Sequence, residues 1–149
     1  MHTEIPTVTV ELDVARGYRV EATTRGHTVI LDEPTDLGGE DAGPTPLETM
    51  LAALGACTAM TLRMYATRKG WPLATVRVTL THQQLARDAC LDCPPDEAFP
   101  MAERITRAIE VTGGLDPDQI ERLLDIANKC PVHRVLVRHP VVVTDIRVG

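Results

Sequence analysis

The chemistry available to this chain is concentrated in four cysteines, which fall in three places. Cys57 stands alone in the run L-A-A-L-G-A-C-T-A-M-T-L, where small neighbours leave room beside the sulfur. Cys90 and Cys93 form a C-x-x-C pair followed by two prolines, and Cys130 opens the segment C-P-V-H, which ends at His133. Two kinds of chemistry suit thiols in such settings. A thiolate attacks peroxide oxygen or disulfide sulfur, giving a sulfenic acid or a mixed disulfide. Alternatively, Cys90, Cys93, Cys130 and His133 make a Cys3His set of the softness and number that tetrahedral zinc takes, if the 36 intervening residues fold back. Cys57 alone also fits a small buried hydrophobe, the commonest use of a free cysteine.

The element that must position Cys57 runs from Gly43 to Pro72. Thr45 suits an N-cap, Pro46 the first helical position, and Glu48 completes a Thr-x-x-Glu capping box. At the other end Arg68 and Lys69 occupy the last turn, Gly70 suits the left-handed closing position, and Pro72 bars continuation. A helix from Pro46 to Lys69 spans roughly 36 Å. No charge occurs between Glu48 and Arg63, and apolar residues occupy every side, which predicts burial all round. The uncharged run is short for a bilayer and holds three threonines, against a membrane span. Cys57 lies too deep in this helix for the N-terminal dipole to reach it, so activating its thiol demands a cation from elsewhere.

Around that helix the alternation is that of strands. Val8 to Val14, Tyr18 to Ala22 and His27 to Leu31 predict a three-stranded antiparallel meander. Asp32 to Gly43 is an acidic, Gly/Pro-rich loop without the spacing of a calcium loop, and it reads as a solvated connector, with a lid over the site as the alternative. Val76 to Thr81 and Ile105 to Val111 predict a second strand pair, ending at Gly113-Gly114. Asp116-Pro117-Asp118-Gln119 starts a second helix with its apolar stripe on Ile120, Leu123, Leu124 and Ala127. That helix stops near Cys130-Pro131, which puts Cys130 at a C-terminus where the dipole disfavours a thiolate and Lys129 offsets it. A short turn or helix from Val132 to Leu136 and a last strand from Val142 to Val148 complete an α+β chain, read as one domain over residues 1–149.

With 149 residues, one sheet and a short second helix cannot wrap the long helix, so a second subunit is expected to complete its cover, in a two-fold homodimer. The net charge of −6 argues against nucleic acid or an anionic membrane surface as partner. No basic segment followed by an apolar run opens the chain, so a reducing cytoplasmic location is expected, where cysteines serve catalysis or metal binding.

The run G-P-T-P-L-E-T-M-L-A-A-L-G-A-C-T-A-M-T-L, with C-P-V-H-R-V-L downstream, resembles the OsmC/Ohr family of thiol peroxidases. The D-E-P…G-G-E-D-A-G-P-T-P-L-E context is similar to its OsmC-like branch. The resemblance covers nearly the whole chain. It implies an intertwined α+β homodimer, with antiparallel sheets around two long central helices and active sites at the subunit interface. It also implies a peroxidatic cysteine at Cys57 and a resolving cysteine at Cys130, with no bound cofactor and an external dithiol as reductant. In the organic hydroperoxide branch an arginine near the first hairpin turn supports the thiolate and is held by a glutamate at the start of the cysteine helix. Arg16 is the nearest match, with Arg19 and Arg25 behind it, and Glu48 lies one position off that pattern. Nine residues at about 100° each put Glu48 and Cys57 on opposite helix faces. Met50, Leu54, Met60 and Met64 would line an apolar pocket favouring bulky organic peroxides. Besides the zinc module, a non-enzymatic carrier of small apolar ligands would need the same pocket without a reactive thiol.

Overall fold

Local capping chemistry sets both ends of the long helix α1, Pro46–Lys69, in the computed structural model, which describes residues 5–149. The Thr45 amide donates to Glu48 Oε2 at 2.8 Å, and the Glu48 amide donates back to Thr45 Oγ1 at 3.2 Å. At the far end Gly70 takes φ 67°, and the Trp71 amide returns to the Ala66 carbonyl at 2.9 Å. Among the described residues no helix is long and apolar enough to cross a membrane.

The chain divides into two compact units, residues 1–50 and 51–149. In the first, β1 (Thr9–Leu12), β2 (Val20–Thr24) and β3 (His27–Leu31) form the expected antiparallel meander, in the order β1-β2-β3. Asp13 caps the 3-10 turn Val14–Arg16 by accepting the Ala15 amide at 3.0 Å, and Arg16 ends that turn exposed to solvent.

The acidic stretch after β3 is more than a solvated connector. Asp32 is only 2% exposed, and its carboxylate accepts the amides of Glu33 at 2.8 Å and of Glu40 and Ala42 at 3.1 Å. A Cβ on Gly39 would lie 1.8 Å from the Glu33 carbonyl oxygen, so the loop closes tightly on itself. These amides, that of Ala42 foremost, hold the Asp32 carboxyl below the usual aspartate range. The unfolded chain therefore takes up this proton first as pH falls. The stabilisation is present above the ordinary aspartate pKa and is lost as pH drops through the folded value. Asp32→Asn is expected to remove that acid-sensitive component and speed hydrogen exchange at Glu33, Glu40 and Ala42. Unchanged exchange at those amides would refute the role.

In the second unit, β4 (Leu73–Ala86) and β5 (Met101–Gly113) form a long antiparallel hairpin, with Leu80 opposite Arg107 and Ala86 opposite Met101. Both strands run past their apolar stretches because pairing continues through the polar residues His82 to Gln84. Helix α2 (Pro117–Ala127) has its full capping box, with the Gln119 amide on Asp116 Oδ1 at 2.8 Å and Gln119 Oε1 accepting the Asp116 amide at 3.0 Å. Leu62 of α1 packs with Leu123, Ile126 and Ala127 of α2, and Val76 and Ile109 close in from the hairpin. Gly55 lets α1 come close to β4, since a Cβ there would meet Leu80 Cδ1 at 2.8 Å. The fold class is α+β with antiparallel sheets, as expected.

Within one chain α1 is covered on one side only, and a chain of this length was not expected to wrap it. Leu54, Thr58, Leu62 and Ala66, four residues apart, are buried with Gly55, while Met60 and Met64 are 65% and 70% exposed. One expectation is corrected: the C-terminal strand does not form. Residues 138–149 have no regular structure, and Val142 and Val148 are 82% and 101% exposed, because a strand needs a neighbour to hydrogen-bond.

Candidate active site

Cys130 is where the local reading of the sequence most needed correction. Helix α2 ends at Ala127, and Cys130 is instead the N-cap of a third helix, α3 (Pro131–Val137), with Pro131 at its first position. Its sulfur accepts the His133 amide at 3.3 Å. The sulfur therefore faces amide donors and not the carbonyl end of α2, reversing the expected local polarity.

Helix α1 brings Cys57 to the same place. The Cys57 and Cys130 thiols are neighbours that bear on each other's ionisation, and both are free. The Val132 amide and the Thr61 hydroxyl, one turn along the helix, favour the Cys57 thiolate. The first turn of α3 thus brings an amide to bear on each sulfur, Val132 on Cys57 and His133 on Cys130. The two thiols differ in access: Cys57 is half-buried, while Cys130 is 0% exposed. A solvent-borne reagent meets Cys57 first.

Burial pushes the Cys57 thiol above its ordinary range, and the adjacent Cys130 thiol pushes the same way; the Val132 amide and Thr61 hydroxyl pull against them. Within residues 51–149, none of the groups that set this ionisation is a cation. The sign follows directly. The unfolded thiol ionises before the folded one, so this contribution to stability is lost as pH rises past the ordinary thiol range, about 8.5. Cys130→Ala, which removes the second upward influence, should move the pH midpoint of Cys57 alkylation by iodoacetamide downward from that of the parent chain. An upward or absent shift would contradict this coupling.

Beneath the pair sits Thr58, 0% exposed, its hydroxyl donating to the Leu54 carbonyl at 2.8 Å and lying 3.8 Å from the Cys130 sulfur. Thr58 Oγ1 accepts from Arg107 Nη1 at 3.0 Å. The same guanidinium donates to the Ala127 carbonyl at 3.3 Å and to Asn128 Oδ1 at 2.7 Å. Arg107 therefore ties β5 to α1 and to the C-terminal end of α2, where a cation complements the helix dipole. Its charge, after burial, also holds the His133 imidazole below the usual range. Arg107 was not among the expected site residues. Its signal was the alternation Ile105, Arg107, Ile109, Val111, which puts a charge at an inward position of an apolar strand face. Arg107 and His133 line one hollow of about 470 Å³ together with Leu54, Ile105, Ile109 and Leu136.

The zinc set is overturned. Cys90 and Cys93 are disulfide-bonded to each other in the loop joining β4 to β5, with Cα atoms 5.4 Å apart. Six residues of β5 separate Met101, beside that loop, from Arg107, a distance of about 20 Å along a strand. Among the described residues, the cluster with metal-binding spacing is Cys90, Asp92 and Cys93, without Cys130 or His133. His82 is instead paired with Glu103. Of the residues expected around a pocket, Met60 and Met64 are largely exposed, whereas Leu54 does line the hollow. Glu48 is engaged in the capping box of α1.

Comparison with known proteins gives the setting. An OsmC-like protein from Mycoplasma pneumoniae superimposes with a TM-score of 0.70 at 20% identity, over 91% of this chain and 89% of that one. The organic hydroperoxide resistance protein OsmC from Legionella pneumophila gives 0.60 at 23% identity, over 87% and 88%. An organic hydroperoxide resistance protein from Elizabethkingia anophelis gives 0.59 at 16%, over 90% and 89%. At these identities the likeness is one of fold. No curated protein matches in sequence. The family model for OsmC-like proteins matches residues 38–145, spanning both Cys57 and Cys130, and the chain belongs to that family.

Proposed function

We propose that this chain is a cysteine-based reductant of organic hydroperoxides that protects against oxidative stress. One observation carries the reading: a half-buried thiol, Cys57, beside a fully buried one, Cys130, each bearing on the other's ionisation. The Cys57 thiolate attacks one oxygen of ROOH, the O–O bond breaks, and the products are Cys57 sulfenic acid and, after protonation, the alcohol ROH. Cys130 sulfur then displaces the sulfenic hydroxyl, which leaves as water, and a Cys57–Cys130 disulfide forms. An external dithiol reduces that disulfide and departs oxidised, so no bound cofactor is needed.

The hydroperoxide resistance proteins that share this fold support the reaction class. The raised Cys57 thiol requires a cation for turnover, and Arg16 is the proposed one; Glu48 is assigned to the helix cap with an Arg-binding role secondary. A homodimer is the proposed assembly, since a second copy would cover the exposed methionine face of α1.

The test is a thiol count with intact mass and peptide mapping on fully reduced protein, before and after one equivalent of cumene hydroperoxide. The expected result is loss of two of the four thiols, with a peptide joining Cys57 to Cys130. If all four thiols survive and the peroxide is untouched, the reading fails, and the hollow beside Arg107 and His133 is left for non-covalent ligand binding.

A further inference from the structure

The Cys90–Cys93 bond takes no part in the chemistry above, and the fold gives it little structural work. It closes a ring across only three residue steps, so it constrains the unfolded chain weakly. The loop that carries it is held by other means. Arg87 donates from Nε to the Phe99 carbonyl at 2.7 Å, from Nη1 to the Pro94 carbonyl at 2.6 Å and from Nη2 to the Met101 carbonyl at 3.3 Å. Asp92 is paired with Arg104 of β5 at 2.9 Å, and the hairpin below is paired from Leu73 to Ala86. Opening the bond leaves all of these in place.

The two sulfurs are also unequal. Cys90 is 5% exposed, whereas Cys93 is half-buried and reachable. A buried partner behind an accessible one is the arrangement that directs an attacking thiolate to a single sulfur. A metal is the poorer occupant: the cluster offers three donors, and the Asp92 carboxylate is already held by Arg104.

We propose that Cys90–Cys93 is a second thiol–disulfide exchange site, separate from Cys57–Cys130, that takes electrons from a small dithiol. A donor thiolate attacks Cys93 Sγ, the Cys90–Cys93 bond breaks, and Cys90 leaves as a thiolate that takes a proton from water. The donor's second thiolate then attacks its own sulfur in the mixed disulfide and expels the Cys93 thiolate, which likewise takes a proton from water. The donor departs as a cyclic disulfide, and the protein has gained two electrons and two protons. The reverse sequence reoxidises the loop.

The experiment uses the full chain carrying Cys57→Ser and Cys130→Ser, so that its outcome is independent of the peroxide reaction, and dithiothreitol as the dithiol. Native protein equilibrated against mixtures of reduced and oxidised dithiothreitol should gain and lose the Cys90 and Cys93 thiols reversibly, with hydrogen exchange along β4 and β5 unchanged. With oxidised glutathione, a further Cys90→Ser substitution should leave an adduct on Cys93 at least tenfold faster than Cys93→Ser leaves one on Cys90. Should the double serine chain fail to fold, peptide mapping of the same equilibrium in the parent chain reads the same pair. A bond that resists dithiothreitol until the chain is denatured would overturn the proposal. So would equal adduct formation at both sulfurs, or a reduced loop that retains stoichiometric zinc and cannot be reoxidised.

Discussion

Cys57→Ser should abolish reduction of cumene hydroperoxide, a fall of about a thousandfold or more, as expected when the peroxide-attacking nucleophile is removed. Cys130→Ser should behave differently. It keeps the accessible sulfur and the nearby Val132 amide and Thr61 hydroxyl that favour its thiolate, but removes the thiol that would resolve the product. One peroxide per chain should be consumed in a burst, and turnover should then stall, with a Cys57 sulfenic acid that dimedone traps. The asymmetry follows from burial, because Cys130 is fully enclosed beside Thr58 while Cys57 is half-buried. Rapid peroxide consumption by Cys57→Ser, with the dimedone label on Cys130, would reverse the two roles. A Cys130→Ser chain that turns over continuously would show that no resolving thiol is needed. The proposed cation is tested in the same assay: Arg16→Gln should raise the pH at which Cys57 is alkylated, and an unchanged midpoint removes Arg16 from the site.

What was legible in the sequence was what is decided locally. Thr45, Pro46, Glu48 and Gly70 act within a turn of one another, so both ends of α1 could be read from them, as could the Asp116–Gln119 box that starts α2. The meander was legible for the same reason, since turns at Gly17 and Gly26 join neighbouring strands. What depends on distant partners was misread. Val142 to Val148 has the alternation of a strand, yet pattern without a hydrogen-bonding neighbour leaves it irregular. Helix α2 does stop before Cys130-Pro131 and a short helix does follow, but the local polarity at Cys130 was misjudged, because proline at a first helical position makes Cys130 the N-cap of that helix. The zinc set had the right residue types and spacing, and failed because the paired strands carry Cys90 and Cys93 to the end of the hairpin remote from Arg107. At Asp32 the loop looked solvated because its sequence is acidic, whereas three amides from its own turn enclose the carboxylate.

Arg107→Leu should destabilise the chain and slow disulfide formation together, because one side chain serves both. Its guanidinium makes three bonds, to Thr58, Ala127 and Asn128, and each holds a segment that carries a cysteine: α1 carries Cys57, and the end of α2 leads within three residues to Cys130. A leucine of similar bulk leaves the α2 carbonyl end without its cation, and losing charge-assisted hydrogen bonds of this kind costs about 2 kcal/mol or more. An error of about 1 Å in the placement of reacting groups can cost about a hundredfold in rate, so Cys57–Cys130 closure should slow more than stability alone would suggest. Arg107→Lys separates charge from geometry. An ammonium can meet one of these acceptors but cannot fork to Thr58 and Asn128 at once, so it should recover part of the stability and little of the closure rate. Urea unfolding reports the first quantity, and single-turnover thiol loss after peroxide addition reports the second. If Arg107→Leu closes the disulfide at the parental rate, the guanidinium does not position the pair, and its bonds to Thr58 and α2 serve stability alone.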